Sequence, residues 1–124
     1  MEWPVILQVL VAVILLVTWT VNFNRATVFR GGDASSMKAE FAVYGLPEWS
    51  VYVVGGLKII CSIFLLIGIA VPSVVAPAAL VISVLMFGAL AMHLKVKDRF
   101  IKWVPASFVF LASVAVFASA SNLI

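Results

Sequence analysis

Four runs of roughly 20 residues, 3–22, 49–71, 74–94 and 101–122, are almost free of charge. At about 1.5 Å per residue, each is long enough as a helix to cross a hydrocarbon layer of about 30 Å. Lipid offers no partner for a free backbone N–H or C=O, so a segment that crosses it is helical. The pattern therefore predicts an all-α fold, a bundle of four transmembrane helices formed by a single domain over 1–124.

Composition excludes the soluble alternative. Hydrophobic residues make up 65% of the chain and charged residues 10%, with a mean hydropathy of +1.26. A soluble domain carries about a quarter charged residues, so this chain lacks the polar surface to cover a water-soluble globule. The single cysteine, Cys61, lies inside an apolar run and reads as a buried, inert thiol. No phosphate-binding loop, dinucleotide fingerprint or metal-ligand spacing is present. The cations form no extended basic stretch, which argues against a nucleic-acid partner. The first run has no basic residue ahead of it and no small-x-small cleavage site behind it, so it reads as a retained helix.

The connections differ. Pro72 and Ser73 join the second and third runs as a tight hairpin, with Pro77 tolerated in the first turn of the helix that follows. The residues from Lys95 to Phe100 join the third and fourth. The longer stretch 23–48 begins as loop around Gly31-Gly32-Asp33. Its part 35–44 reads as a short amphipathic helix on the surface, with Met37, Phe41 and Tyr44 on one side and Lys38 and Glu40 more exposed. Apart from Lys58, every Lys and Arg lies in or beside the first and third connections: Arg25, Arg30, Lys38, Lys95, Lys97, Arg99 and Lys102. The positive-inside rule places those connections in the cytoplasm and both termini outside. Trp19, Phe23, Tyr44, Trp49, Tyr52 and Trp103 then form an inner aromatic belt, and Trp3 anchors the outer end.

Lys58 is the most informative residue. It falls near mid-depth of the second run, where a lysine costs on the order of 2.5–3.5 kcal/mol on insertion scales. It should face the interior of the bundle. One reading is a side chain that snorkels to the surface and binds helix-end carbonyls; the other is a site residue. Gly55, Lys58 and Ser62 share a helical face. Trp19 and Asn22 share one on the first helix, and Met86 and His93 share one on the third. Trp19, Asn22, Lys58 and His93 belong to the half of the bundle nearest the basic connections and can line one cavity there; with Ser62 and Met86 on the same faces, Lys58, His93, Trp19, Asn22, Ser62 and Met86 are the candidate ligand-binding residues. Ordinary helix packing accounts for the same small and polar residues, and His93 suits the C-terminus of a helix as a cap. Asp98, between Lys97 and Arg99, reads as a surface ion pair or loop residue. Glu40 reaches a cation in the cavity if 35–44 folds in under the bundle.

Tyr44-Gly45-Leu46-Pro47-Glu48-Trp49, then Gly55-Gly56-Leu57-Lys58 and Leu65-Leu66-Ile67-Gly68, resemble the DoxX-like family. So do Met86-Phe87-Gly88-Ala89-Leu90-Ala91-Met92-His93, Lys95-Val96-Lys97-Asp98 and Pro105-Ala106. The resemblance covers residues from about 40 to 124, and the first helix fits only in kind. It implies a small four-helix membrane protein. Among relatives it implies a subunit of thiosulfate:quinone oxidoreductase, a partner in mycobacterial membrane oxidoreductase complexes, and an endoplasmic-reticulum chaperone for nicotinic acetylcholine receptors. It also implies a glutamate where Lys58 stands, so the charge is reversed here.

The expected function is that of an accessory membrane protein with no catalytic activity of its own. It carries no intrinsic cofactor and binds a quinone or a lipid, or docks on a larger membrane protein. The alternatives are a quinone-linked oxidoreductase subunit and a small transporter or channel, the latter only as a homo-oligomer. The resemblance points to a bacterial inner membrane.

Overall fold

The computed structural model describes residues 2–124, and all of its regular elements are helical. The first helix, α1, runs Trp3–Trp19 with Pro4 in its opening turn, where the missing N–H is no loss. It stops three residues before Asn22. Thr18 and Thr20 hydroxyls bond back to the carbonyls of Ile14 and Leu16, which competes with the next turn of backbone bonds. The short α2, Met37–Val43, starts at Ser36, whose hydroxyl accepts from the Ala39 N–H at 3.1 Å. Gly45 ends it with φ +79°, a left-handed turn that glycine takes without strain.

Helix α3 spans Glu48–Ile67, with Glu48 favourably placed in the first turn. It ends four residues before the expected boundary at 71. Val71 precedes Pro72, whose ring disfavours helical backbone there, and it sits at φ −125°, ψ 81°. The hairpin is therefore not the bare Pro72-Ser73 junction. It is a run of turns through 68–71 and one 3₁₀ turn, Pro72–Val74. Helix α4, Val75–Lys95, and helix α5, Phe100–Ala120, complete the bundle.

Each of the four long helices packs against two others: α1 and α4 both lie against α3 and α5, while α2 lies on α3. A core of Val11, Leu15, Leu65, Ile82, Val109 and Val116 runs along the axis. Small residues such as Ala12, Ala79, Ala112 and Ser113 let the helices approach closely. Gln8 Nε2 donates across helices to the Leu65 carbonyl at 2.5 Å. The outward faces carry Leu10, Ile60, Phe64, Leu80, Phe87 and Leu111, all exposed. Helices α3, α4 with its leading turn, and α5 are long and apolar enough to cross a membrane, and α1 is a shorter apolar helix. The apolar outer surface and internally satisfied backbone are those of a helical bundle embedded in lipid.

A second cluster of Trp19, Met37, Phe41, Tyr44 and Val51 lies at the end of the bundle that carries the basic connections. Trp49 and Tyr52 face outward at that end, and Trp3 does so at the other, as the aromatic belt requires. Trp19 and Tyr44 do not belong to the belt. They are 6% and 4% exposed, because α2 folds under the bundle and covers them.

Candidate functional site: a capped cavity around Lys58

The connection between α1 and α3 is organised by a buried ion pair. Arg30 Nη1 donates to Glu40 Oε2 at 2.9 Å, with both side chains nearly buried. The Arg30 guanidinium also donates to the carbonyls of Arg25 and Asn22. Tyr44 donates its hydroxyl to the other Glu40 oxygen at 2.6 Å. Burial, followed by the Glu40 charge, holds the Tyr44 phenol protonated well above its ordinary range. Glu40 is thus buried rather than exposed on a surface helix. The side of α2 that carries it turns inward with Met37 and Phe41.

The connection between α4 and α5 locks onto this lid. Asp98 Oδ1 accepts the Gly32 N–H at 2.9 Å, and Oδ2 lies 2.7 Å from His93 Nδ1. Lys102 Nζ is 3.9 Å from Asp98 and donates to the Gly32 carbonyl. Lys95 Nζ donates to the Tyr44 carbonyl at 2.7 Å. Asp98 is therefore not a surface ion pair: its side chain is 4% exposed and ties the two basic connections together. Burial pushes its carboxyl upward, but the Gly32 N–H, His93 and Lys102 together outweigh that and leave it below the usual carboxylate value. His93 is not a simple helix-end cap either. Its ring is buried, stacked on Trp103 and edge-on to Tyr44.

Beneath the lid lies a cavity of about 370 Å³. Its walls come from α1, α3, α4 and α5, and its roof from the lid residues Arg30, Glu40 and Tyr44. Lys58 enters it from α3. A helical side chain leans toward the N-terminus of its helix, which for α3 is the lidded end. The stem therefore carries Nζ to 5.2 Å above the Trp19 ring, a cation–π contact. Gly55, one turn away, makes room for that ring: a Cβ there would fall 2.6 Å from it.

Lys58 is 7% exposed, yet no oxygen among the described residues accepts a hydrogen bond or ion pair from its ammonium. The snorkelling geometry, with Nζ on helix-end carbonyls, does not occur. No fully enclosed side-chain nitrogen or oxygen among the described residues lacks a partner. The unpartnered Nζ therefore borders open space, and that space is the cavity. Glu40 acts on Lys58 through its charge, but both of its oxygens are already committed to Arg30 and Tyr44.

Of the residues singled out from sequence, Trp19, Asn22, Lys58, Met86 and His93 all line this cavity. Ser62 does not. It is fully buried and donates to the Lys58 carbonyl at 2.6 Å, a bond within its own helix. Sequence reasoning missed the lining role of Arg30 and the clamping role of Asp98. A signal existed: a long connection in a bundle otherwise joined by short ones is seldom idle.

No curated protein and no solved structure matches the chain. A family model does, that of the DoxX-like family, over residues 6–117. The match takes in the first helix as well as the motifs beyond residue 40, and by it this small integral membrane protein belongs to the DoxX-like family.

Proposed function

We propose that this DoxX-like protein is an accessory membrane protein that holds a small amphipathic molecule, a quinone or a lipid, in the lidded cavity. The observation that carries the reading is the Lys58 ammonium, buried, without a hydrogen-bond acceptor among the described residues and bordering a cavity with mostly apolar walls. Ligand sites combine apolar walls with a few convergent polar groups in this way. Lys58 donates to the polar head, and His93, with Nδ1 held by Asp98, presents its other ring nitrogen. Trp19 and Met86 pack on the apolar part. An uncompensated lysine in a helix core is costly, and a bound carbonyl or anion offsets that cost. The concentration of basic residues at the lidded end supports placing that end in the cytoplasm, and the family likeness supports a bacterial inner membrane.

The test is native mass spectrometry of protein extracted gently from its own membrane, wild type beside Lys58→Met. A defined small-molecule mass on wild type that is lost from the variant is the expected result. Bare protein in both samples rejects the proposal. A larger protein retained by both, with no small molecule, moves the role to docking and leaves Lys58 structural.

A further inference from the structure

Charge balance narrows the ligand. Arg30, Lys58, Lys102 and Glu40 line the cavity, and Asp98 and Lys95 belong to the lid behind it, with Lys95 Nζ on the Tyr44 carbonyl. Arg30 is matched by Glu40 at 2.9 Å, and Lys102 lies 3.9 Å from Asp98, which also receives His93 and the Gly32 N–H. Both acids thereby have nearer partners, and Lys58 is the one lining cation with no carboxylate within ion-pair distance. A neutral head would leave that charge in place. A phosphate monoester, at about −1.5 to −2, would overshoot it and face Glu40 from the same cavity. A carboxylate balances it. The volume argues in the same direction: about 370 Å³ lies near the lower end of the roughly 300–1,000 Å³ usual for small-molecule sites. That is room for one chain inside the cavity. Thr18, Asn22 and His93 also line the cavity, and Ile14, Leu15, Leu85, Met86 and Val109 supply apolar wall to receive such a chain.

We infer that the cavity takes a single-chain amphiphile with a carboxylate head, and that Lys58 selects it over neutral and phosphorylated analogues. The inference rests on the ligand-holding reading above and adds the charge and chain number of the ligand. The carboxylate receives the Lys58 ammonium over the Trp19 face, and the chain lies along the walls formed by α1, α4 and α5.

The experiment offers delipidated protein in a neutral detergent four probes of equal chain length: dodecanoate, dodecanol, dodecyl phosphate and dodecyltrimethylammonium. Bound mass is read for wild type, Lys58→Met and Lys58→Arg. Exchanging a charged for a neutral hydrogen bond changes affinity about tenfold. Dodecanoate should therefore bind wild type one to one, at least about tenfold more tightly than dodecanol and more tightly than the phosphate. Lys58→Met should erase the preference and Lys58→Arg should keep it. Equal binding of dodecanol, tighter binding of the phosphate, or a preference that survives Lys58→Met overturns the inference while leaving a ligand-holding cavity in place. Failure of every probe, together with no copurifying small molecule, removes both.

Discussion

Replacing Asp98 tests whether the lid is held by a buried clamp or merely rests on the bundle. Asp98→Ala removes the acceptor for Gly32 N–H at 2.9 Å and for His93 at 2.7 Å, and it takes away the negative charge facing Lys102. Removing one partner of a buried charged network costs about 3–5 kcal/mol, because the remaining polar groups are left without partners. Asp98→Asn should cost only about 1 kcal/mol. Its amide oxygen still accepts from Gly32, and the neutral imidazole can present a lone pair to the amide N–H₂. Unfolding free energies in mild detergent, with trypsin cleavage at Arg25 as a local probe of the lid, separate the two. The pH dependence has a fixed sign. The folded-state value of Asp98 is depressed, so its contribution is complete above the ordinary carboxylate value of about 3.9 and is lost as pH falls below it. The carboxylate's own part of the difference between wild type and Asp98→Ala should thus shrink only as pH falls below that value. An Asp98→Ala protein within about 0.5 kcal/mol of wild type, the range of ordinary surface changes, would refute the clamp.

Arg30→Met should destabilise by about 3–5 kcal/mol by stranding Glu40, whereas Arg30→Met with Glu40→Leu should recover most of that loss; additive losses in a double-mutant cycle would count against a coupled pair. Lys58→Met should raise stability in ligand-free detergent, by less than the roughly 2.5–3.5 kcal/mol that a mid-helix lysine costs because the cation–π contact with Trp19 is lost with it; a loss of stability would mean that the Trp19 contact and the Glu40 charge outweigh that cost. Gly55→Ala should cost about 1–3 kcal/mol and shift Trp19 emission, because the new Cβ falls 2.6 Å from the ring, and unchanged emission would show that the ring does not lie there.

The bundle was legible because lipid imposes one rule on every residue of a spanning helix, and apolar runs record it directly. The inward placement of Lys58 followed from the same rule, since a lysine at that depth is too costly on a lipid face. Cavity lining by Trp19, Asn22, Met86 and His93 followed from helical periodicity combined with the end of the bundle to which each belongs. Ser62 shows the limit of that argument. It shares the helical face of Lys58 but lies one turn deeper, where the core is closed, and its hydroxyl is satisfied by its own helix. The sequence brought Glu40 to the cavity only on condition that 35–44 folds in under the bundle, and the bonds that hold it there were not legible, for a different reason. Glu40 and Asp98 stand in polar stretches where a charge is ordinarily solvated. Their partners, Arg30 at ten residues' separation and Gly32 at 66, are set by how two connections meet, which no local period records.

The lid is built from charges where apolar residues would close the end of a bundle as firmly. Buried ion pairs seldom add net stability over apolar replacements of similar size. What they add here is position. An apolar lid could slide along the ends of the helices, but the Arg30 fork fixes α2 to the end of α1 through the Asn22 carbonyl, and Asp98 fixes Gly32 to α4 through His93. The same bonds occupy both oxygens of Glu40, the carboxylate that lines the cavity with Lys58. A looser lid would let that carboxylate swing onto the ammonium and neutralise the site from within. The rigidity of the lid and the free charge of Lys58 are therefore one property. It follows that Tyr44→Phe, which releases Glu40 Oε1 while leaving the packing in place, should weaken carboxylate binding although Tyr44 need not touch the ligand.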